Sequence, residues 1–207
     1  MAALPEQRGA DGSMTEAALR QAVRLVVLLN LGYFGVEFAV ALAIGSVSLF
    51  ADSVDFLEDA SLNILVLLAL SWPARARARV GMALAAILLV PGLATLWTAW
   101  QKLGHPVAPD PAPLSLTGLG ALAVNLGSAA LLLRFRRHGG SLTRAAFLSA
   151  RNDALANVAI IATGFVTAAT LSAWPDLAVG LAIAALNADA AREVWQAARE
   201  EHREAET

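Results

Sequence analysis

Between Phe50 and Leu65 the chain reads FADSVDFLEDASLNIL, four carboxylates set among apolar residues. At about 100° per residue on a helix, Asp52, Asp55, Asp59 and Asn63 fall within an arc of roughly 80°, and Glu58 lies about 60° outside it. A second segment, FLSARNDALANVAII, places Ser149, Asn152, Asp153 and Asn157 on a comparable stripe, with Arg151 pointing largely away. Ionised carboxylates facing one another are acceptors only, so such a cluster repels itself until a cation or protons occupy it. Asp and Asn oxygens suit a divalent ion, and binding one releases the protons that neutralised the empty site. That is the physical basis of metal-for-proton exchange. The plainer alternative is that the acids pair with Arg24, Arg151 or backbone groups as packing contacts.

The elements that must position these residues are apolar. The chain has 207 residues, 57% hydrophobic and 15% charged, with a mean hydropathy of +0.60. Soluble domains average about 45–50% apolar and about 25% charged, so an integral membrane protein is expected and disorder is not. Net charge is −2 and the pI about 5.9, which leaves no basic footprint for nucleic acid. Cysteine is absent, excluding disulfides, thiolate catalysis and Cys-ligated metal. Spans of roughly 20 apolar residues are expected at about 19–44, 47–71, 80–103, 114–134, 143–170 and 175–197. Pro73, the Pro106–Pro113 stretch and Trp174-Pro175 punctuate three of the gaps. The expected organisation is a polar segment 1–16, a six-helix transmembrane domain 17–198 and a short charged tail 199–207. The N-terminus lacks the features of a signal peptide, and Met1 or Met14 could begin the protein.

Arginine sets the orientation. Arg75, Arg77 and Arg79 follow the second span, and Arg134, Arg136, Arg137 and Arg144 follow the fourth. The loops on the other side hold IGSVS, TLSAWPD and a connection with Lys102 against Asp110. The basic side, with both termini, is expected to be cytoplasmic. A mid-membrane charge costs about 2.5–3.5 kcal/mol on insertion scales, so the four acids of the second span, Asp153 and Glu37 need compensation. Asp55 and Asp59 lie about 12–18 Å from the outer end of their helix and Asp153 about 15 Å from the inner end of its own. The two stripes therefore meet near the midplane. Asp59-Ala-Ser-Leu-Asn63 and Asp153-Ala-Leu-Ala-Asn157 both read D-A-x-x-N, a weak sign of a 3+3 inverted repeat with its site at the interface.

The residues resemble those of the cation diffusion facilitator family of divalent-metal transporters. The resemblance runs from Asn30 through Glu37 and Gly45-Ser46-Val47-Ser48-Leu49 into Ala51–Asp59. It resumes at Asp153–Val158 and at Asp176–Gly180. It implies six helices with cytoplasmic termini and a dimer that exports Zn²⁺ or a similar ion against protons. It also implies a metal site of two residues from each of two helices, each pair spaced by four. Carried over, these are Asp55, Asp59 and Asp153, while the fourth position, usually His or Asp, falls on Ser149. Serine is a poor ligand, so Asn152 or Asn157 are further candidates to complete the shell. Asp52 and Glu37 are candidates for proton coupling or gating, and Glu58 for an interhelical contact. The family's C-terminal cytoplasmic domain has no counterpart in this sequence, so a homodimer is expected to form through the helices. His105, His138 and His202 read as solvated residues.

No enzymatic activity and no permanently bound cofactor are expected; a divalent ion is the substrate. The oxygen-only donors lean toward Mn²⁺, Fe²⁺ or Mg²⁺, whereas the family leans toward Zn²⁺ with Cd²⁺ or Co²⁺, and Zn²⁺ ranks first by a small margin. The partners are then metal ions, protons, the lipid bilayer and a second copy, and the place a bacterial inner or plasma membrane. Two other readings stand beside this one: a non-transporting subunit whose acidic face binds a partner helix, and an exporter of organic cations.

Overall fold

The computed structural model describes the backbone of residues 5–69, 76, 79, 83, 93–133 and 140–204; side-chain environments are described from Ala17 on, outside 134–152 and much of 189–204. Among these residues there are six helices and no strand. They are α1 (Pro5–Ile44), α2 (Val47–Ala69), α3 (described over 93–104), α4 (Pro111–Leu133), α5 (Gly140–Thr170) and α6 (Trp174–Glu204). Ala17–Ile44, Pro111–Leu133 and Asp153–Thr170 are long and apolar enough to cross a membrane, and Trp174–Ala188 is a shorter apolar stretch. α2 has the length, 23 residues, but carries four carboxylates.

Several helices run past their expected ends. α1 begins at Pro5 inside the segment 1–16 read as polar, and α6 continues to Glu204 through the charged tail. The tail sequence AAREEHRE is mostly good helix formers, with Glu200 and Arg203 an opposite-charge pair three apart, and this propagates the turn beyond the apolar stretch. Pro5 and Pro111 open their helices, where a missing N–H and a fixed φ cost nothing. Asp110 caps α4, accepting the Ala112 N–H at 3.1 Å.

The α1–α2 connection is tight. Gly45 adopts φ 64°, and the Ser46 N–H donates to the Ala41 carbonyl at 3.0 Å, a glycine-terminated helix end. α1 therefore returns directly along α2, just as α4 lies along α5. α2 is the central element, packed also on α4, α5 and α6. A buried apolar cluster of Ala41, Leu49, Phe50, Ala51, Leu114, Ile160 and Ile183 joins five helices. Val23, Val26 and Leu132 bind α1 to α4 near the terminal end, and Val47, Ala99 and Leu177 bind α2, α3 and α6 at the other. Leu28, Leu42, Leu119 and Phe165 are exposed on the outer faces, as lipid-facing residues are. Trp97, Trp100 and Trp174 are exposed near the non-terminal end, the position of an interfacial aromatic belt.

Candidate metal-transport site

α2 turns its acids into the bundle. Asp52, Glu58 and Asp59 are buried and Asp55 is partly accessible, with Asn63 buried one turn below Asp59. α5 brings Asp153 and the fully buried Asn157 to the same region, and α1 contributes buried Glu37 and Asn30. Asp153 lies within hydrogen-bonding reach of Asp59, so the aspartates of the two D-A-x-x-N segments meet. Asp55 feels the like charges of Asp153, Asp52, Glu58 and Asp59. The asparagines of the two segments diverge in role. Asn63 Nδ2 donates back to the Asp59 carbonyl at 2.8 Å, whereas Asn157 leaves its own helix.

Asn157 Nδ2 donates to Asp52 Oδ2 at 2.5 Å, and its Oδ1 accepts from Asn125 Nδ2 of α4 at 2.9 Å. Asp52 in turn faces Glu37 across the α1–α2 interface. Four helices are thus linked by one chain of polar side chains, Asn125 to Asn157 to Asp52 to Glu37. Asp52 Oδ1 and both Glu37 oxygens find no donor. Two carboxylates are both acceptors, so neither satisfies the other unless a proton or cation comes between them. Asn30 and Ser128 are likewise buried without a hydrogen-bond partner.

The expected residues are therefore brought together unequally. Asp55, Asp59 and Asp153 converge between α2 and α5, but among the described residues no three Asp, Glu or His side chains are close enough to hold an ion. The side chains of Ser149 and Asn152 lie outside the described residues. Asn157 is engaged by Asp52 and Asn125. Arg24 is exposed on α1. Glu58, expected off the shared face, is buried and has one oxygen without a donor.

Two features escape the sequence reading. Asn125 sits alone among the alanines and leucines of α4, and no spacing rule marks it. Lys102, weighed against Asp110, instead pairs with Asp176 of α6 at 2.8 Å. Its signal was the position of Asp176 in the first turn after Trp174-Pro175, at the same end of the bundle.

The fold and its buried acids define a helical membrane protein built to pass a cation. The family described as the cation efflux transmembrane domain matches residues 23–200. The chain belongs to that family and is a metal cation efflux transporter. A search of curated proteins returns no match to the chain.

Proposed function

We propose that the chain exports a divalent metal ion, Zn²⁺ foremost and Cd²⁺, Co²⁺, Mn²⁺ or Fe²⁺ next, in exchange for protons. The observation that carries this reading is the convergence of Asp55, Asp59 and Asp153 between two helices deep in the bundle. The acids of this set face like charges on one another, and a divalent ion relieves the repulsion of the whole set. Asp55 and Asp59 from α2 and Asp153 from α5 are the ligands, with Ser149 or Asn152 on the turn before Asp153 as the fourth. Asn157 serves Asp52 instead. Glu37 and Asp52 carry protons, because a proton between their carboxyls satisfies the two acceptors that otherwise face each other. A homodimer through the helices, in a bacterial inner or plasma membrane, completes the reading.

Reconstituted vesicles with an imposed pH gradient test it. Zn²⁺ is expected to move against the proton flow in the wild type. Failure of Zn²⁺, Cd²⁺, Co²⁺, Mn²⁺ and Fe²⁺ alike refutes divalent-metal transport. Transport that survives Asp55→Ala combined with Asp153→Ala refutes the ligand assignment.

A further inference from the structure

At the end of the bundle opposite the termini, one carboxylate gathers three helices. Asp176, at 0% exposure in the first turn of α6, accepts from Ser46 Oγ at 2.6 Å, Ser48 Oγ at 2.7 Å and the Ser48 N–H at 3.1 Å through Oδ1. Its Oδ2 accepts from the Val47 N–H at 2.9 Å and from Lys102 Nζ of α3 at 2.8 Å. Lys102 also donates to the Gly45 carbonyl at 2.6 Å, and is 8% exposed. Asp176 thereby caps the N-terminus of α2 from another helix, satisfying two of its first N–H groups. Beneath it the apolar seam of Val47, Ala99 and Leu177 closes the same three helices together. The backbones touch there: a Cβ on Gly180 would lie 2.7 Å from the Val47 carbonyl carbon and 2.8 Å from Ser48 N.

We infer that the Lys102–Asp176 pair, with Ser46 and Ser48, is a latch that closes the non-cytoplasmic end of the transport path and positions the metal-binding helix. The inference rests on the metal-transport reading above, since it gives the path its use. α2 is one unbroken helix from Val47 to Ala69, so whatever fixes its first turn fixes Asp55 about 12 Å further in, at 1.5 Å per residue. The latch and the seam below it tie α2 to α3 and α6 at the end opposite the termini. On this inference an ion leaving toward that side passes where these helices are joined, and the bonds there are polar and local. Polar bonds of this kind close a path more reversibly than apolar packing, because water replaces each partner when the seam parts.

The chain has no cysteine, so a single thiol reports on the seam without background. Val47→Cys in right-side-out vesicles, treated with a membrane-impermeant methanethiosulfonate, reads opening from outside. In the Lys102-containing protein labelling is slow and speeds up when Zn²⁺ inside the vesicles and an inward proton gradient drive transport. Lys102→Met raises the resting rate about tenfold or more, tenfold being the effect on a local opening of losing the charge-assisted bond to Asp176 alone, and Lys102→Arg restores protection. Ser46→Ala, which leaves the ion pair and removes one donor, gives a smaller rise of about threefold and reads the same rate if Lys102→Met does not insert. Zn²⁺ transport in Lys102→Met changes in maximal rate, because parting of the seam is a step of each transport cycle. Resting labelling unchanged in both variants overturns the latch, and so does labelling indifferent to Zn²⁺ in a protein that transports it. The resting rates need no metal, so they stand apart from the Asp55→Ala test: a failed ligand assignment leaves them as they are.

Discussion

Removing Asp176 should damage the protein more than removing its cationic partner, and removing both should be milder than removing Asp176 alone. Asp176→Ala strips the acceptor from the Val47 and Ser48 N–H groups, from two serine hydroxyls and from Lys102. Lys102 then remains buried with the Gly45 carbonyl as its described acceptor. Stranding one member of a buried ion pair costs about 3–5 kcal/mol, and losing an N-cap adds about 1 kcal/mol, so Asp176→Ala is expected to cost about 4–6 kcal/mol. Lys102→Met leaves the carboxylate with four donors and keeps the apolar stem but also takes the donor from the Gly45 carbonyl, so the expected cost is that of the bond to Asp176 and the weaker one to Gly45, about 2–4 kcal/mol. In the double variant no charge is stranded, and the cost falls to the cap and the lost serine contacts, about 2–3 kcal/mol.

The assay is reversible unfolding in mixed detergent micelles, each variant against the same wild-type reference. The coupling term of the cycle carries the argument: Lys102→Met should recover about 2 kcal/mol or more in the Asp176→Ala background, where in the wild type it destabilises. A cost below about 1 kcal/mol for Asp176→Ala, or strict additivity of the two substitutions, refutes the reasoning. Either result would mean that water reaches Lys102 and Asp176 and screens them as at an open surface.

Four further outcomes follow from particular contacts. Gly180→Ala puts a methyl against the Val47 backbone and should cost about 1–3 kcal/mol in the same unfolding assay, as overpacking does where no side chain can give way. Gly45→Ala should cost about 1–2 kcal/mol because its φ of 64° is open chiefly to glycine, with the melting temperature as the measurement. Asn157→Leu removes the donor to Asp52 and the acceptor of Asn125, and should destabilise by about 2–4 kcal/mol in unfolding while leaving Zn²⁺ affinity by calorimetry within about twofold. Ser149→His supplies the nitrogen donor that the ligand set lacks, so Zn²⁺ affinity by calorimetry should rise about tenfold or more, and no rise would place Ser149 outside the shell.

What could be read in advance follows from how much of each feature is local. The helices were legible because apolar runs of spanning length have few alternatives, and the stripe of Asp55 and Asp59 because helical periodicity is arithmetic. Boundaries were less so: the helical extension of α6 through AAREEHRE depends on charged helix formers, which a search for apolar runs passes over. The relay through Asn125 was hidden because a lone asparagine in an apolar helix carries no spacing to read. The Lys102–Asp176 pair joins residues 74 positions apart, and the nearer acid in sequence, Asp110, is taken up as the cap of α4. Proximity along the chain was the wrong guide there, since the bundle brings the ends of α3 and α6 together.

The buried carboxylates of this protein fall into two kinds, and the difference in their surroundings separates scaffold from mechanism. Asp176 receives bonds from two backbone N–H groups, two hydroxyls and an ammonium, so its ionised form has what water would have given it. Glu37 has two oxygens without a donor, Asp52 has one, and Asp55 stands among four like charges. An unsatisfied buried acceptor costs about 1–3 kcal/mol, more when charged, and a membrane interior offers no water to relieve it. Apolar residues at those positions would make a more stable bundle, as replacing buried ionic groups often does. A helix that carries four acids through a bilayer is therefore retained for what enters among them. The deficit at Glu37, Asp52 and Asp55 is in positive charge, which under the proposed exchange a metal ion and protons would supply in turn. Asp176, already satisfied, has no such vacancy, which suits it to hold α2 in place while the proposed exchange runs through the acids further along the same helix.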